Sequence, residues 1–275
     1  MICSEFIKKD YLLAPNEYLS APFADGKGSD LYWKIDDGTL IITTLDIDDP
    51  SYIKNYYDAI LDERPWAKHN NEIVKAIVDL EFVPTGLLKE MDVKSITFTE
   101  RCKEFGDNCM SQCRKLKNVN IMACVEKMGI NLCNGCNNLE NFNIKGLEVL
   151  PTGTLTGTSI KDLKLPANLT AIENMSIVSP YLNTMEFKSD TLGTSLERVD
   201  SNLWRFNPAL ETIIGDENAY EVIKRDAMLG VDSQEKSKDI FTKIKFVNNE
   251  RTIAPEEHGS GGKDIDYNRF NEEIY

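Results

Sequence analysis

The sequence predicts a solenoid, a fold in which successive coils of the chain each add one short strand to a parallel sheet. The six-residue segment at 93–98 returns in similar form at 116–121 and at 139–144, each copy 23 positions after the last. The same spacing aligns Gly106 with Gly129, so the turn repeats as well as the strand. A fixed period of this size is typical of a solenoid.

Further copies extend the array in both directions. They begin at Ile160, Leu182 and Leu210, and a degenerate earlier copy begins at Val74. The spacing between starts ranges from 19 to 28 positions, and the longest spacing predicts extra residues between 192 and 208. We therefore predict about seven coils over residues 73–216, which is enough to bury a continuous core that no single coil could bury alone.

The pattern within one coil assigns side chains to the inside or the outside. In the order apolar-x-x-apolar-x-apolar, the last two apolar residues point the same way, whereas the residue between them points to the other face. In the middle coil this places Val119 and Ile121 inside and Asn120 outside. A coil of 23 residues leaves room only for a short helical or irregular return segment. The predicted fold is a curved parallel sheet in a mainly β or α/β solenoid.

The segment before the coils is predicted to cap the first of them. Residues 32–43 are expected to form a hairpin that turns at Asp36-Asp37-Gly38, residue types that tolerate positive φ. Residues 50–63 have helical spacing of apolar side chains, with Asp49 as the capping residue. We assign both elements to an N-terminal cap over residues 1–72.

The segment after the coils is predicted to form a second cap and a tail. A helix is expected from 218 to 229, and the alternating run at 240–247 is expected to be extended. Both belong to a C-terminal cap over residues 217–258. The glycine-rich stretch that begins at 259 indicates a flexible linker, which leads into an acidic and aromatic tail ending at 275.

The residue order of the coils resembles that of the BspA-like leucine-rich repeats. In that family a unit written I-P-x-x-V-x-x-I-G-x-x-A-F-x-x-C-x-x-L recurs, and here Val125, Met128-Gly129 and Cys133-x-x-Cys136 follow the strand in the same order. The family's Ala-Phe pair is replaced, for example by Cys109-Met110. The resemblance spans roughly residues 31 to 216. It implies a leucine-rich-repeat fold and, in many members, secretion or attachment to a surface.

Charge and hydropathy narrow the classes of partner and location. The chain has 31 basic and 45 acidic residues and a net charge of −14, which repels phosphate backbones and anionic membranes. Charged residues interrupt the first ten positions, and no apolar run reaches transmembrane length. These features predict no nucleic-acid binding, no membrane insertion and no signal peptide. They favour the cytoplasm or a particle, with surface exposure only by a non-classical route, in conflict with the resemblance.

The cysteines allow two interpretations. Their spacing suggests a metal site, whereas their positions in the repeat suggest that they pack in the core. Cys109-x3-Cys113 and Cys133-x2-Cys136 have nearly the spacing of a four-thiolate zinc site. Cys113 and Cys136 nevertheless fall at the same phase of the repeat, where a small buried thiol belongs. We expect core cysteines and no metal, with zinc binding and redox chemistry as the alternatives. The odd total of seven argues against a complete disulfide framework.

Few residues suit catalysis. The chain has two histidines, His69 and His258, so few general bases are available for a nucleophilic site. The glycine-rich stretch at 153–158 lacks the lysine of a phosphate-binding loop. We therefore predict a protein that is not an enzyme and has no cofactor.

The outward strand positions offer a binding surface. Asn118, Asn120, Asn141 and Asn143 occupy outward positions of neighbouring strands, which lie about 4.8 Å apart. We call these four residues the amide patch and predict that it binds a protein or glycan partner as an adhesion or interaction module. Stacked amides also stabilise parallel strands, and this second interpretation stays open. The predicted surface continues through outward positions of later coils, Lys164 and Glu186.

An alternative function is that of a structural subunit in a larger assembly, such as a virion or surface particle. In that case the linker would deliver residues 263–275 to a neighbouring subunit. The tail carries aromatic residues that can act as anchors, namely Tyr267, Phe270 and Tyr275.

Overall fold

A computed structural model describes the backbone of the coils and of parts of both flanks. The described residues are 18–22, 28–43, 64–187, 194–229, 245–247 and 252–253. The helix predicted over 50–63 and the linker and tail predicted over 259–275 lie outside them.

The described elements are short strands with few helices. In chain order the strands are β1 Tyr18–Pro22, β2 Gly28–Asp36, β3 Thr39–Thr43, β4 Lys75–Asp79, β5 Phe82–Val83, β6 Ser95–Phe98, β7 Glu104–Phe105, β8 Asn118–Cys124, β9 Lys127–Met128, β10 Asn141–Lys145, β11 Val149–Leu150, β12 Leu155–Thr156, β13 Asp162–Leu165, β14 Ala171–Ile172, β15 Ile177–Val178, β16 Thr184–Phe187, β17 Thr212–Ile214, β18 Lys245–Val247 and β19 Thr252–Ile253. The helices are α1 Leu203–Phe206 and α2 Glu217–Leu229, with a 3₁₀ helix at Pro65–His69.

The chain forms a parallel-strand β-solenoid, as predicted. One sheet has the order β1-β2-β3-β4-β6-β8-β10, and a second has the order β13-β16-β17-β18-β19. Pairing is parallel from β3 to β10 and from β13 to β18, and it is antiparallel among β1, β2 and β3 and between β18 and β19. β4, β6, β8, β10, β13, β16 and β17 each begin one or two residues after a predicted repeat start.

Antiparallel pairing between β2 and β3 forms a hairpin where the sequence predicts one. Asp36 pairs with Thr39 across the turn, and Asp37 and Gly38 have φ angles of 44° and 70°. Two successive positive φ angles match the twist of the flanking strands, which explains the Asp-Gly sequence. β3 then joins the parallel array by pairing with β4.

The number of complete coils is smaller than predicted. Short return strands follow five of the parallel strands and form three further sheets, β5-β7-β9, β11-β14 and β12-β15. After β16 only Arg198, among the described residues, makes an isolated bridge back to Ala171, and the longer segments after β16 and β17 contain α1 and α2. The structure therefore has about five full turns, and the predicted count of about seven corresponds to the parallel strands β4, β6, β8, β10, β13, β16 and β17.

The parallel array is interrupted between β10 and β13, where the sequence predicts one continuous sheet. The strands on either side belong to separate sheets, and the pairing of β10 with β8 shifts register between Asn143 and Lys145. The coil that starts at 139 is also two residues shorter than the two before it. The ladder of backbone hydrogen bonds between the strands stops there. Coil length alone does not account for the break, since β4 and β6 pair across a coil of only 20 residues, with Lys75 opposite Ser95.

The core runs along the solenoid axis, and from the repeat that begins at 93 the inner and outer positions are those that the sequence predicts. Val119 and Ile121 are 2% and 0% exposed, whereas Asn120 is half-buried on the outer face. The copy predicted to begin at Val74 is wrong by one residue, because Ile73, Ala76 and Val78 are buried whereas Val74 is 42% exposed. The repeated glycines have a packing reason, since a Cβ at Gly106 would lie 2.6 Å from the backbone nitrogen of Thr85 in the preceding coil. Only glycine permits coils to stack this closely.

In the turns that follow β5, β7 and β9, the backbone hydrogen bonds between coils run in one direction. An amide of one coil donates to a carbonyl of the next, as from Gly86 N to Asp107 O and from Asn108 N to Ile130 O, each 2.9 Å long. The first coil of such a ladder therefore presents carbonyls, and the last presents N–H groups. Both ends need partners, because buried backbone groups without hydrogen bonds cost free energy.

Side chains supply those partners at both ends. At the first coil, Arg64 donates to the carbonyls of Gly86, Leu87 and Lys89 at 2.9, 3.2 and 2.7 Å. The indole of Trp66 also donates to Leu87 O, at 3.2 Å. These contacts replace the amides that a preceding coil would provide.

At the last coil the backbone N–H groups need partners, and side chains supply the acceptors. Asp200 accepts a hydrogen bond from Met175 N at 2.7 Å, and Asn207 accepts one from Ser179 N at 2.8 Å. Asn207 also donates to Ile177 O at 2.9 Å. Asn207 lies at the end of α1, so the extra residues of the longest coil position a side chain that ends the ladder.

Candidate functional site

The amide patch lies on the outward face of β8 and β10, and its four side chains form two ladders. Asn141 Nδ2 donates to Asn118 Oδ1 at 2.7 Å, and Asn143 Nδ2 donates to Asn120 Oδ1 at 3.1 Å. The parallel pairing of β8 with β10 holds each pair level. Asn118, Asn141 and Asn143 are exposed and Asn120 is half-buried.

The ladders leave most of the hydrogen-bonding capacity of the patch unused. A primary amide has two N–H donors and an oxygen with two lone pairs, and each ladder bond uses one donor and one lone pair. The ladders support the interpretation that stacked amides stabilise the strands. The remaining donors and acceptors are held at a fixed spacing on a rigid sheet and face solvent, which also suits recognition of a polar ligand.

Lys164 and Glu186 lie on β13 and β16, beyond the interruption in the array. They pair with each other, with Lys164 Nζ 3.0 Å from a carboxylate oxygen of Glu186. The structure therefore places these two predicted site residues on the same side of the solenoid as the amide patch but in a different sheet. The predicted tail anchors Tyr267, Phe270 and Tyr275 lie outside the described residues.

A column of charged residues that the sequence analysis missed borders the amide patch. The residue that precedes each strand stacks on its equivalent, with hydrogen bonds from Lys94 N to Val74 O, from Lys117 N to Lys94 O and from Glu140 N to Lys117 O of 2.8 to 3.0 Å. This column marks the amino-terminal edge of the strands. The equivalent position is lysine in three coils, which was visible in the aligned repeats as Lys94, Lys117 and Lys161.

The basic side chains at this edge are mostly without ion pairs. Lys75, Lys94 and Arg114 are exposed, and within the described part of the chain none of the three forms a salt bridge. Lys117 is 3.9 Å from Glu140, at the limit of an ion pair. We call Lys75, Lys94, Arg114 and Lys117 the basic edge. It is a local excess of positive charge on an acidic chain.

The opposite edge, at the carboxyl ends of the strands, is acidic. A cleft of about 430 Å³ opens there, lined by Glu100, Lys103, Cys124, Val125, Glu126, Gly146 and Glu148. Lys103 pairs with Glu126 at 2.9 Å, which leaves an excess of negative charge around the cleft. The two edges of the outward face therefore differ in sign.

The cysteines are core residues that hydrogen-bond to backbone carbonyls. Cys102, Cys109, Cys113, Cys133 and Cys136 are fully buried, and Cys124 is exposed. Cys109 Sγ contacts the carbonyl oxygens 3, 25 and 26 residues before it, and Ser176 Oγ contacts carbonyls at the same three offsets. A thiol and a hydroxyl therefore make equivalent hydrogen bonds in these two coils, whereas the same position in the coil after Cys109 holds the fully buried Leu132, which makes none.

Burial also makes Cys102, Cys109 and Cys113 harder to ionise. It raises the pKa of Cys102 from its ordinary value of 9.0 to about 11. Burial likewise raises the pKa of Cys109, with a further contribution from Asp107, and raises the pKa of Cys113 well above its usual range. Since the thiolate is the reactive and metal-binding form, these residues are unreactive at neutral pH.

We expect thiol labelling of the folded protein at pH 7.5 to reflect this difference. In a Cys3→Ser background, an aromatic disulfide reagent should react rapidly with Cys124 alone, and the five buried thiols should react only after unfolding in guanidinium. The measurement is the absorbance of released thiolate with and without denaturant. Rapid reaction of two or more thiols in the folded state would contradict the core assignment.

The described residues contain no group of three or more potential ligands arranged to hold a metal ion. The buried carboxylate of Asp79 accepts hydrogen bonds from Thr43 and Thr99 at 3.2 and 2.6 Å and pairs with Arg101 at 3.0 Å. Its oxygens link the ends of three adjacent strands, which is a structural role. His69 lies 3.4 Å from Glu72 at the protein surface. Within the described ranges, no helix is long and apolar enough to cross a membrane.

Comparison with known proteins identifies the repeats. Residues 79–182 match a family model described as a BspA type leucine rich repeat region, in six copies. No curated protein matches the chain.

Two solved structures resemble the chain in fold. A leucine-rich repeat protein from Eubacterium ventriosum ATCC 27560 is 13% identical, with a TM-score of 0.47, over 72% of this chain and 62% of that protein. A leucine rich cell surface protein from Faecalibacterium prausnitzii A2-165 is 15% identical, with a TM-score of 0.40, over 76% of this chain and 49% of that protein. The chain thus spans less than two thirds of either protein.

Proposed function

We propose that the chain, whose residues 79–182 match the family model of a BspA type leucine rich repeat region, is a non-enzymatic interaction module. In this proposal the outward face of the parallel strands, centred on the amide patch, binds a protein or glycan partner. Leucine-rich repeat proteins generally mediate interactions, and solenoids use extended faces of stacked repeats for the purpose.

The observation that carries the proposal is the exposed polar surface of β8 and β10. Four asparagines are held in two ladders of 2.7 and 3.1 Å on strands whose inner faces are packed in the core. A surface fixed in this way loses little conformational entropy when a ligand binds. At the first and last coils, side chains hydrogen-bond to the backbone groups that have no partner in a neighbouring coil. The amide patch, in contrast, keeps unused donors and acceptors.

The proposal predicts that large side chains on the outward face abolish binding. Wild-type protein would be compared with the Asn120→Arg/Asn143→Arg variant on printed panels of glycans and of purified proteins. We expect at least one specific ligand, with affinity at least about tenfold lower for the double variant, because two arginines would cover the patch and break one ladder.

The matched control is Ile130→Arg, which introduces the same side chain on the return side at a residue that is 45% exposed. Its ligand binding should equal that of the wild type, and thermal melts should show all three proteins folded. A ligand that is lost with Ile130→Arg and retained with Asn120→Arg/Asn143→Arg would place binding on the return side and refute the proposal.

A further inference from the structure

We propose that the ligand of the outward face is an anionic polysaccharide, whose carboxylate or sulfate groups bind the basic edge while its hydroxyl groups bind the amide patch. This inference rests on the proposed function and specifies the class of ligand. It gives one role to two adjacent features, the charged basic edge and the neutral amide patch.

The basic edge carries positive charge that is not neutralised by neighbouring side chains. Lys75, Lys94 and Arg114 form no salt bridge with any described residue, although the chain as a whole has a net charge of −14. Unpaired cations concentrated at one edge attract an anion that comes close, because screening limits the influence of charges more than about 8 Å away. Lysine and arginine donate charge-assisted hydrogen bonds to carboxylate and sulfate oxygens.

The cations of the basic edge are closely spaced along the solenoid axis. Lys94 and Lys117 occupy equivalent positions in successive coils, joined by the 2.8 Å hydrogen bond from Lys117 N to Lys94 O. Their backbones are therefore about 4.8 Å apart along the solenoid axis. A polymer with closely spaced anionic groups, lying along that axis, can neutralise several cations at once.

The side chains of the outward face favour a glycan over an acidic protein segment. No outward position of the parallel strands β4, β6, β8, β10, β13, β16 and β17 is aromatic, and the amide patch has no apolar side chain. Protein interfaces depend on buried aromatic and other large anchors. The apolar residues at outward positions of these strands, Ile77, Met122 and Ile214, lie outside the amide patch and are half-buried. Asparagine amides can donate to and accept from sugar hydroxyl groups, which are themselves both donors and acceptors.

The acidic edge orients the ligand. Glu100, Glu126 and Glu148 line the cleft at the carboxyl ends of the strands, where Lys103 is already paired. A polyanion is repelled from this side and attracted to the other, so it lies toward the amino-terminal edge of the strands.

The test measures binding of the full chain to immobilised heparin, which is sulfated, to polygalacturonate, which carries carboxylates only, to neutral dextran and to polyglutamate. Lys94→Gln/Arg114→Gln removes two cations of the basic edge. Its control, Lys103→Gln/Lys127→Gln, removes the same charge beside the acidic cleft and on the return side. We expect salt-sensitive binding to heparin, to polygalacturonate or to both, weakened about tenfold by the first pair and not by the second.

Binding to one anionic polysaccharide and not the other also supports the inference and identifies the anionic group. Equal binding to dextran, equal loss in the two double variants, or equal affinity for polyglutamate would overturn it. If neither anionic polysaccharide binds while Asn120→Arg/Asn143→Arg still loses another ligand, this inference fails and the proposed function stands.

Discussion

The Val119→Asp variant is expected to unfold the middle of the solenoid. Val119 lies on β8, is 2% exposed, and packs in the core between Ile96 and Phe142 of the paired strands. A carboxylate there would lose its hydration without gaining a partner, and we expect the free energy of unfolding to fall by about 4 kcal/mol or more. Thermal melts and denaturant titrations followed by circular dichroism measure the loss.

Asn120→Asp is the matched control, because it introduces the same carboxylate one residue away on the outer face. Its oxygens can still accept the hydrogen bond from Asn143 Nδ2, which is 3.1 Å long in the wild type. We expect a change of less than about 1 kcal/mol. If Asn120→Asp were the more damaging substitution, the strand register would be wrong by one residue, since adjacent strand positions point to opposite faces.

The strand register was predictable from the repeat that begins at 93 onward, because burial imposes a strict pattern on each coil. The residues at the positions of Val119 and Ile121 must be apolar in every repeat, so alignment of the repeats was sufficient to assign the faces. The same reasoning gave the interior cysteines, since Cys113 and Cys136 share one repeat phase and are both fully buried. Alignment of the repeats therefore predicts the structural features that recur from coil to coil.

Turn geometry was predictable from residue types only in part. Asn131 and Gly153 occupy one turn position with φ angles of 58° and 74°, and both types favour positive φ. At the same position Met175 also has a φ of 53°, and a second column includes Glu90 and Gln112 at 62°. Stacking on the neighbouring coil imposes these angles on residues that rarely adopt them, so local preference carries no signal.

The candidate site was predictable in part, for a similar reason. Outward positions were known from the alternation, which identified the amide patch. The basic edge depends on which charges remain unpaired, and that follows from distances such as the 2.8 Å between Lys115 and Asp92 rather than from the sequence. The interruption of the sheet after β10 was also not predictable. Coil lengths can be counted in the sequence, but they do not show whether adjacent strands still form backbone hydrogen bonds.

The first coil is expected to lose most of its stability when Arg64 is replaced by methionine. Arg64 is 9% exposed and donates to three carbonyls of the return segment, those of Gly86, Leu87 and Lys89. Methionine keeps an unbranched apolar stem but offers no donors, so the carbonyls are left in a poorly solvated place. Hydrogen bonds to charged groups contribute about 1.5 to 3 kcal/mol each before relaxation, and we expect a net loss of about 3 kcal/mol.

The loss should be local, because each coil of a solenoid contacts only its neighbours. Hydrogen exchange followed by mass spectrometry should show faster exchange in residues 75–91 of Arg64→Met, with residues 160–187 unchanged. Arg64→Lys provides the control, since a lysine keeps the charge and can reach at most part of the three carbonyls, and its effect should be intermediate. Uniformly faster exchange along the array, or an Arg64→Lys protein as unstable as Arg64→Met, would show that Arg64 does not act by ending the ladder of the first coil.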